Sequence, residues 1–120
     1  MTDTATESPP AGIQEQINAN NRKIAAQKLE KVPSRLQSDM VAYSRLRRGV
    51  HTHRNAFGQH LSPKEVEIVK KNLDALKERM LKENKVEDEK ALELFLKEKG
   101  LGDTIVMEEL VRRFPEKETG

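Results

Sequence analysis

The tetrapeptide Ser62-Pro63-Lys64-Glu65 constrains this chain more than any other feature. Serine at an N-cap accepts a backbone N–H, proline at the first helical position loses no hydrogen bond, and glutamate at the third reaches back to the cap. Behind it Val66, Val69, Leu73, Leu76 and Met80 recur at spacings of three and four. Lys70, Lys71, Asp74, Lys77, Glu78 and Lys82 take the remaining faces, so the segment has the period of an amphipathic helix. Such a helix must bury its stripe against other elements.

The same grammar recurs on both sides. Val86 to Lys99 carries Glu87, Asp88 and Glu89 in its first turn, Leu92, Phe95 and Leu96 as an apolar set, and Lys97 and Lys99 before Gly100. Asp103 or Thr104 opens a third helix with Ile105, Val106, Leu110, Val111 and Phe114 as its apolar surface, ended by Pro115. Upstream, Ser34 and Gln37 have the form of a capping box, Leu36, Met40 and Tyr43 share a face, and Arg45, Arg47 and Arg48 precede Gly49, which predicts a helix over 35–48 with glycine as its stop. Residues 50–61 follow neither period and are expected to be a loop. Ile13, Ile17, Ile24 and Val32 are thinly spaced among Gln and Asn, so a helix over about 13–31 would need a partner surface. No strand-like alternation and no internal repeat occurs, and the expected fold class is all-α.

Composition divides the chain further. Only 35% of its 120 residues are hydrophobic and 3% aromatic, below the ~45–50% apolar share of ordinary domains. Residues 1–12 are rich in Thr, Ser, Pro and Gly and are expected to be a disordered acidic tail. Residues 13–61 form a basic, partly helical partner-binding segment, and 62–115 a three-helix unit with Leu73, Leu76, Met80, Leu92, Phe95, Leu96, Leu110 and Phe114 as its core. Residues 116–120 are expected to be a second disordered tail.

Several function classes are excluded or disfavoured. No apolar run reaches the ~20 residues of a membrane span or the ~7–15 of a signal peptide, so a cytoplasmic or nuclear protein is expected. Without cysteine there is no disulfide framework, thiol nucleophile or Cys-ligated metal. His51, His53 and His60 lack carboxylates nearby and fall short of a zinc ligand set. No phosphate loop and no Gly-x-Ser-x-Gly context is present, and no catalytic residue, metal or cofactor is expected. Ser8-Pro9 and Ser62-Pro63 fit proline-directed phosphorylation, which at Ser62 would favour a helix N-terminus.

Charge carries the functional signal. Between Arg22 and Arg54 nine basic residues face two acidic ones, a net charge of +7, whereas 1–21 carry −3 and 55–120 carry −2. The candidate binding residues are Arg35, Tyr43, Arg45, Arg47, Arg48, Arg54 and Phe57. Arginines between two aromatics suit phosphates and bases, or the acidic surface of a protein, or the acidic helices of this same chain. The reading that follows is a non-enzymatic adaptor or accessory subunit of a larger protein assembly, docking through its basic segment and apolar helix faces. The alternative is an accessory factor binding RNA or a ribonucleoprotein. A membrane surface is disfavoured because the basic helix offers a narrow apolar face. A homodimer through Val66, Val69, Leu73, Leu76 and Met80 is a third, less favoured arrangement.

Overall fold

The computed structural model describes residues 11–115, and these form five helices and no strand. They are α1 (Ala11–Leu29), α2 (Ser34–Thr52), α3 (Pro63–Glu83), α4 (Glu89–Glu98) and α5 (Thr104–Arg113). The all-α expectation is met. The two tails expected over 1–12 and 116–120 lie outside the described residues, except that Ala11 and Gly12 already belong to α1.

Local chemistry explains most boundaries. At α3 the Ser62 side chain accepts from the Glu65 N–H at 3.2 Å and the Glu65 carboxylate accepts from the Ser62 N–H at 2.8 Å, the capping box read from the sequence. These bonds hold the Glu65 carboxyl below its usual range. Asp88 accepts from the Ala91 N–H and caps α4, so that helix starts three residues later than its apolar pattern suggests. Asp103 does the same for α5 through the Ile105 N–H.

Two expectations around α2 are corrected. Gln37 does not serve a capping box with Ser34: the N-cap is Pro33, with no side-chain cap bond. Instead the buried Gln37 amide donates to the carbonyls of Leu29 and Val32, tying α2 to the turn that follows α1, where the Leu29 carbonyl also accepts from the Val32 N–H. Gly49 does not stop the helix. It lies buried inside α2 where a Cβ would come within 3.3 Å of Val69 Cγ1, so its missing side chain lets α2 approach α3 closely. The left-handed cap falls on His53, with φ 57° and its N–H bonded to the Gly49 carbonyl.

The most extensive pairings are α2 with α3 and α1 with α5. Both run antiparallel. Arg35 and Asp39 on α2 meet Glu83 and Arg79 on α3, while Arg22 and Lys28 on α1 meet Glu109 and Asp103 on α5. One cluster of buried side chains joins the elements: Ala25, Leu29 and Val32, then Leu36, Val41 and Tyr43, then Leu76, Met80, Leu92, Leu96, Leu101, Val106 and Leu110. Of the core expected within 62–115, Leu76, Met80, Leu92, Leu96 and Leu110 are buried, and Leu73, Phe95 and Phe114 pack partly against them. These side chains share their cluster with α1 and α2, which supply the cover that the C-terminal helices do not give one another. Of the stripe read as a dimer seam, Val66, Leu76 and Met80 are buried in the folded chain and Val69 and Leu73 are half-buried.

Burial is uneven along α1. Its C-terminal half seats Ala25 and Leu29 fully in the core, whereas Ile13 and Ile17 stay about half exposed. Because α5 is ten residues long and α1 nineteen, α1 outruns it. The molecule measures 60 × 35 × 24 Å with a radius of gyration of 18.1 Å, against the ~13 Å of a compact domain this long.

Candidate functional site

Helix α2 positions the site. Met40, Tyr43, Ser44, Arg47 and His51 recur at spacings of three and four and so lie along one face. This face is the floor of three adjoining hollows. The first, about 700 Å³, is lined by that face together with Arg48, Val50 and Leu73 of α3. The second, about 250 Å³, adds Glu93, Leu96 and Lys97 of α4 with Leu101 and Gly102. The third, about 510 Å³, runs from Ser44 and Gly102 to Thr104, Met107, Glu108, Val111 and Arg112 of α5. Met40, Tyr43 and Arg47 are common to the first two, and Ser44 joins the first to the third. Together the hollows make an open groove in which the apolar Met40, Val50, Leu73, Met107 and Val111 are interleaved with the charged Arg47, Arg48, Lys97 and Arg112.

Tyr43 is the buried centre of this groove, 1% exposed. Arg47 sits over its ring at 5.5 Å, a cation–π contact. Its hydroxyl is the one buried side-chain polar atom among the described residues without a hydrogen-bond partner. Burial pushes the phenol pKa above its ordinary value; Arg47 and Lys77 act against that shift and Glu89 and Glu93 with it.

The seven residues singled out in the sequence separate. Tyr43, Arg47 and Arg48 come together in the groove. Arg35 does not: its guanidinium grips Glu83 with two bonds of 2.9 and 2.7 Å, an α2–α3 tie that raises its own pKa and lowers that of Glu83. Arg45 points to the other side of α2, where it donates to the Phe114 carbonyl beside Arg113 and Pro115. Arg54 donates to the Gly58 carbonyl at 2.7 Å within the connecting loop. That loop is braced by Asn55, whose side-chain oxygen accepts from the N–H groups of Phe57 and Gln59, and it presents Phe57 half exposed at its tip.

Sequence reasoning missed Ser44, His51, Leu73, Lys97, Met107 and Val111. The spacing of Met40, Tyr43, Arg47 and His51 was a usable signal, since residues three and four apart share a helix face. The walls from α4 and α5 carried none, because they depend on how distant helices pack. Among the described residues no three His, Asp or Glu side chains come together as a metal site, and no helix is long and apolar enough to cross a membrane.

Much of the remaining charge is used internally. Glu109, 8% exposed, receives Arg22 at 3.0 Å, Arg112 at 3.1 Å and Arg113 at 3.4 Å. Burial pushes its pKa upward, but the bonds and charges of these three arginines outweigh that and hold it below the usual range. Lys28 bonds Asp103 at 3.1 Å and lowers its pKa in the same way.

No protein-family model matches the chain, and neither a curated protein nor a solved structure matches it significantly.

Proposed function

We propose that this protein is a non-enzymatic helical adaptor that seats a helical segment of a partner protein in the groove along α2. The observation that carries the reading is the groove itself, whose floor residues lie one helical turn apart beneath walls from three other helices. A groove along a helix that offers both apolar and charged side chains suits an amphipathic helix. The distribution of arginines also favours a protein over RNA. Arg22, Lys28 and Arg35, which an RNA-binding segment would spend on phosphates, are bonded to Glu109, Asp103 and Glu83. Exposed pairs of this kind are weak individually, but each holds a basic group against a carboxylate of the same chain.

Affinity capture from lysate, with and without nuclease, tests this. The wild-type chain is compared with a Ser44→Gln, Val111→Gln double variant that obstructs the groove without changing charge. Partners that survive nuclease and are lost by the variant are expected. Loss of the partners to nuclease, or an unchanged set on the variant, overturns the reading.

A further inference from the structure

We infer that α1 pairs with the α1 of a second copy of this chain, in parallel register along a stripe of Ile13, Ile17, Asn20 and Ile24; this goes beyond the groove and does not depend on it. At ~100° per residue these four positions fall within ~60° of one another around the helix. The three isoleucines are 50, 48 and 36% exposed, and Asn20 is exposed between them. The other large exposed apolar side chains, Phe57, Ile68, Leu94 and Val111, sit singly on four different elements, so α1 alone lines three of them up. The ten residues ahead of α1 hold no large apolar side chain except Met1, too little to cover three isoleucines.

The stripe itself selects the second copy. Its spacings of four, three and four residues are those of a coiled-coil seam, in which facing helices meet layer by layer. An asparagine in such a seam costs stability against an apolar partner, and its amide is satisfied by an asparagine in the same layer, which a second copy in register supplies at Asn20. The charges agree. Glu15 and Arg22 lie on the opposite side of α1 and Lys23 about a quarter turn from the stripe, while Lys28, one turn beyond Ile24, is bonded to Asp103 at 3.1 Å. No like charges are therefore opposed between Ile13 and Ile24, and a strongly acidic or basic helix gains nothing there. The seam from Ile13 to Ile24 is about 17 Å long, and three isoleucines per copy fall short of the ~1,200 Å² of a stable interface, so the dimer is weak and forms as concentration rises.

Sedimentation velocity on the full chain over a hundredfold range of concentration tests the pairing. Wild type is compared with Ile17→Glu and Asn20→Leu and, because the chain has no cysteine, with Asn20→Cys and Glu15→Cys as single-thiol variants. All these substitutions fall on exposed side chains, and circular dichroism verifies that each variant stays helical. The expected result is a mass that rises from monomer toward dimer with concentration, association about tenfold weaker in Ile17→Glu and about tenfold tighter in Asn20→Leu, and a disulfide that forms faster under mild oxidation at position 20 than at position 15 on the far side of the helix. A monomer at every concentration, or a dimer that Ile17→Glu leaves intact, overturns the inference and leaves the adaptor reading standing. A dimer weakened by Ile17→Glu in which position 20 cross-links no faster than position 15, or which Asn20→Leu does not tighten, overturns the in-register pairing.

Discussion

Replacing Tyr43 by phenylalanine should stabilise this protein, which is the reverse of the usual result for a buried tyrosine. A buried hydroxyl left without a partner costs about 1–3 kcal/mol of desolvation, whereas one that is bonded contributes roughly 1 kcal/mol. Tyr43 is 1% exposed and its hydroxyl meets no acceptor or donor, although Lys77, Glu89 and Glu93 lie close enough to perturb its ionisation. Small rotations of those side chains relieve part of the penalty, so the gain is set at the low end, about 1 kcal/mol. The ring and its contact with Arg47 remain, since phenylalanine offers the same face to a cation. At ~2.1 cal/mol/K per residue the unfolding entropy of 120 residues is about 0.25 kcal/mol/K, and the gain corresponds to a rise in Tm of about 4 °C. Thermal and urea unfolding at pH 7, followed by circular dichroism, read both quantities. A destabilised Tyr43→Phe protein would refute the reasoning, because it would mean that the hydroxyl is bonded in solution.

Four further outcomes follow from the same structure. Glu109→Gln removes the charge that three arginines share; their side chains are 36–57% exposed and screened, so the loss is about 1–2 kcal/mol, seen in urea midpoints and as faster hydrogen exchange along α1. Gly49→Val forces branched atoms into the 3.3 Å approach to Val69 and should destabilise by about 1–3 kcal/mol; an unchanged Tm would show that α2 and α3 do not cross this closely. The carboxyls of Glu65, Glu83, Asp103 and Glu109 are held low in the folded chain, so the unfolded chain binds more protons in acid and stability falls as pH drops below about 4. Tyr43 acts at the other end: its raised pKa stabilises the fold below pH ~10 and is lost above, and as the only tyrosine it can be followed alone by phenolate absorbance.

What was legible in the sequence is what local chemistry decides. The capping box at Ser62 and Glu65 and the α5 cap, which falls on Asp103, operate within four residues and formed as read, whereas of the acidic residues expected in the first turn of α4 Asp88 became its cap and Glu89 alone lies in that turn. The errors arose where a distant element changed a residue's task. Gln37 had the spacing of a capping residue but was recruited by the end of α1, and Gly49 had the composition of a helix stop but serves as a contact point for Val69. The thin apolar pattern of α1 looked insufficient because half of it is, and the other half is completed by α5, some seventy to ninety residues away.

The charge asymmetry shows the same division and bears on function. Three of the nine basic residues between Arg22 and Arg54 are bonded to carboxylates 87, 75 and 48 residues further along the chain. Part of the +7 that reads as a partner-binding signal is therefore a folding signal, in which a basic first half finds the acidic helices of the second half. Such pairs are weak at the surface, but they are directional: Arg22 and Lys28 fix which end of α1 lies along which end of α5, and Arg35 does so for α2 and α3. Register set in this way brings Leu73 of α3 against the face of α2 that carries Tyr43, Arg47 and His51. The charge asymmetry of a chain like this one is thus in part a record of its internal pairing, and those pairs have to be located before any of it is assigned to a partner.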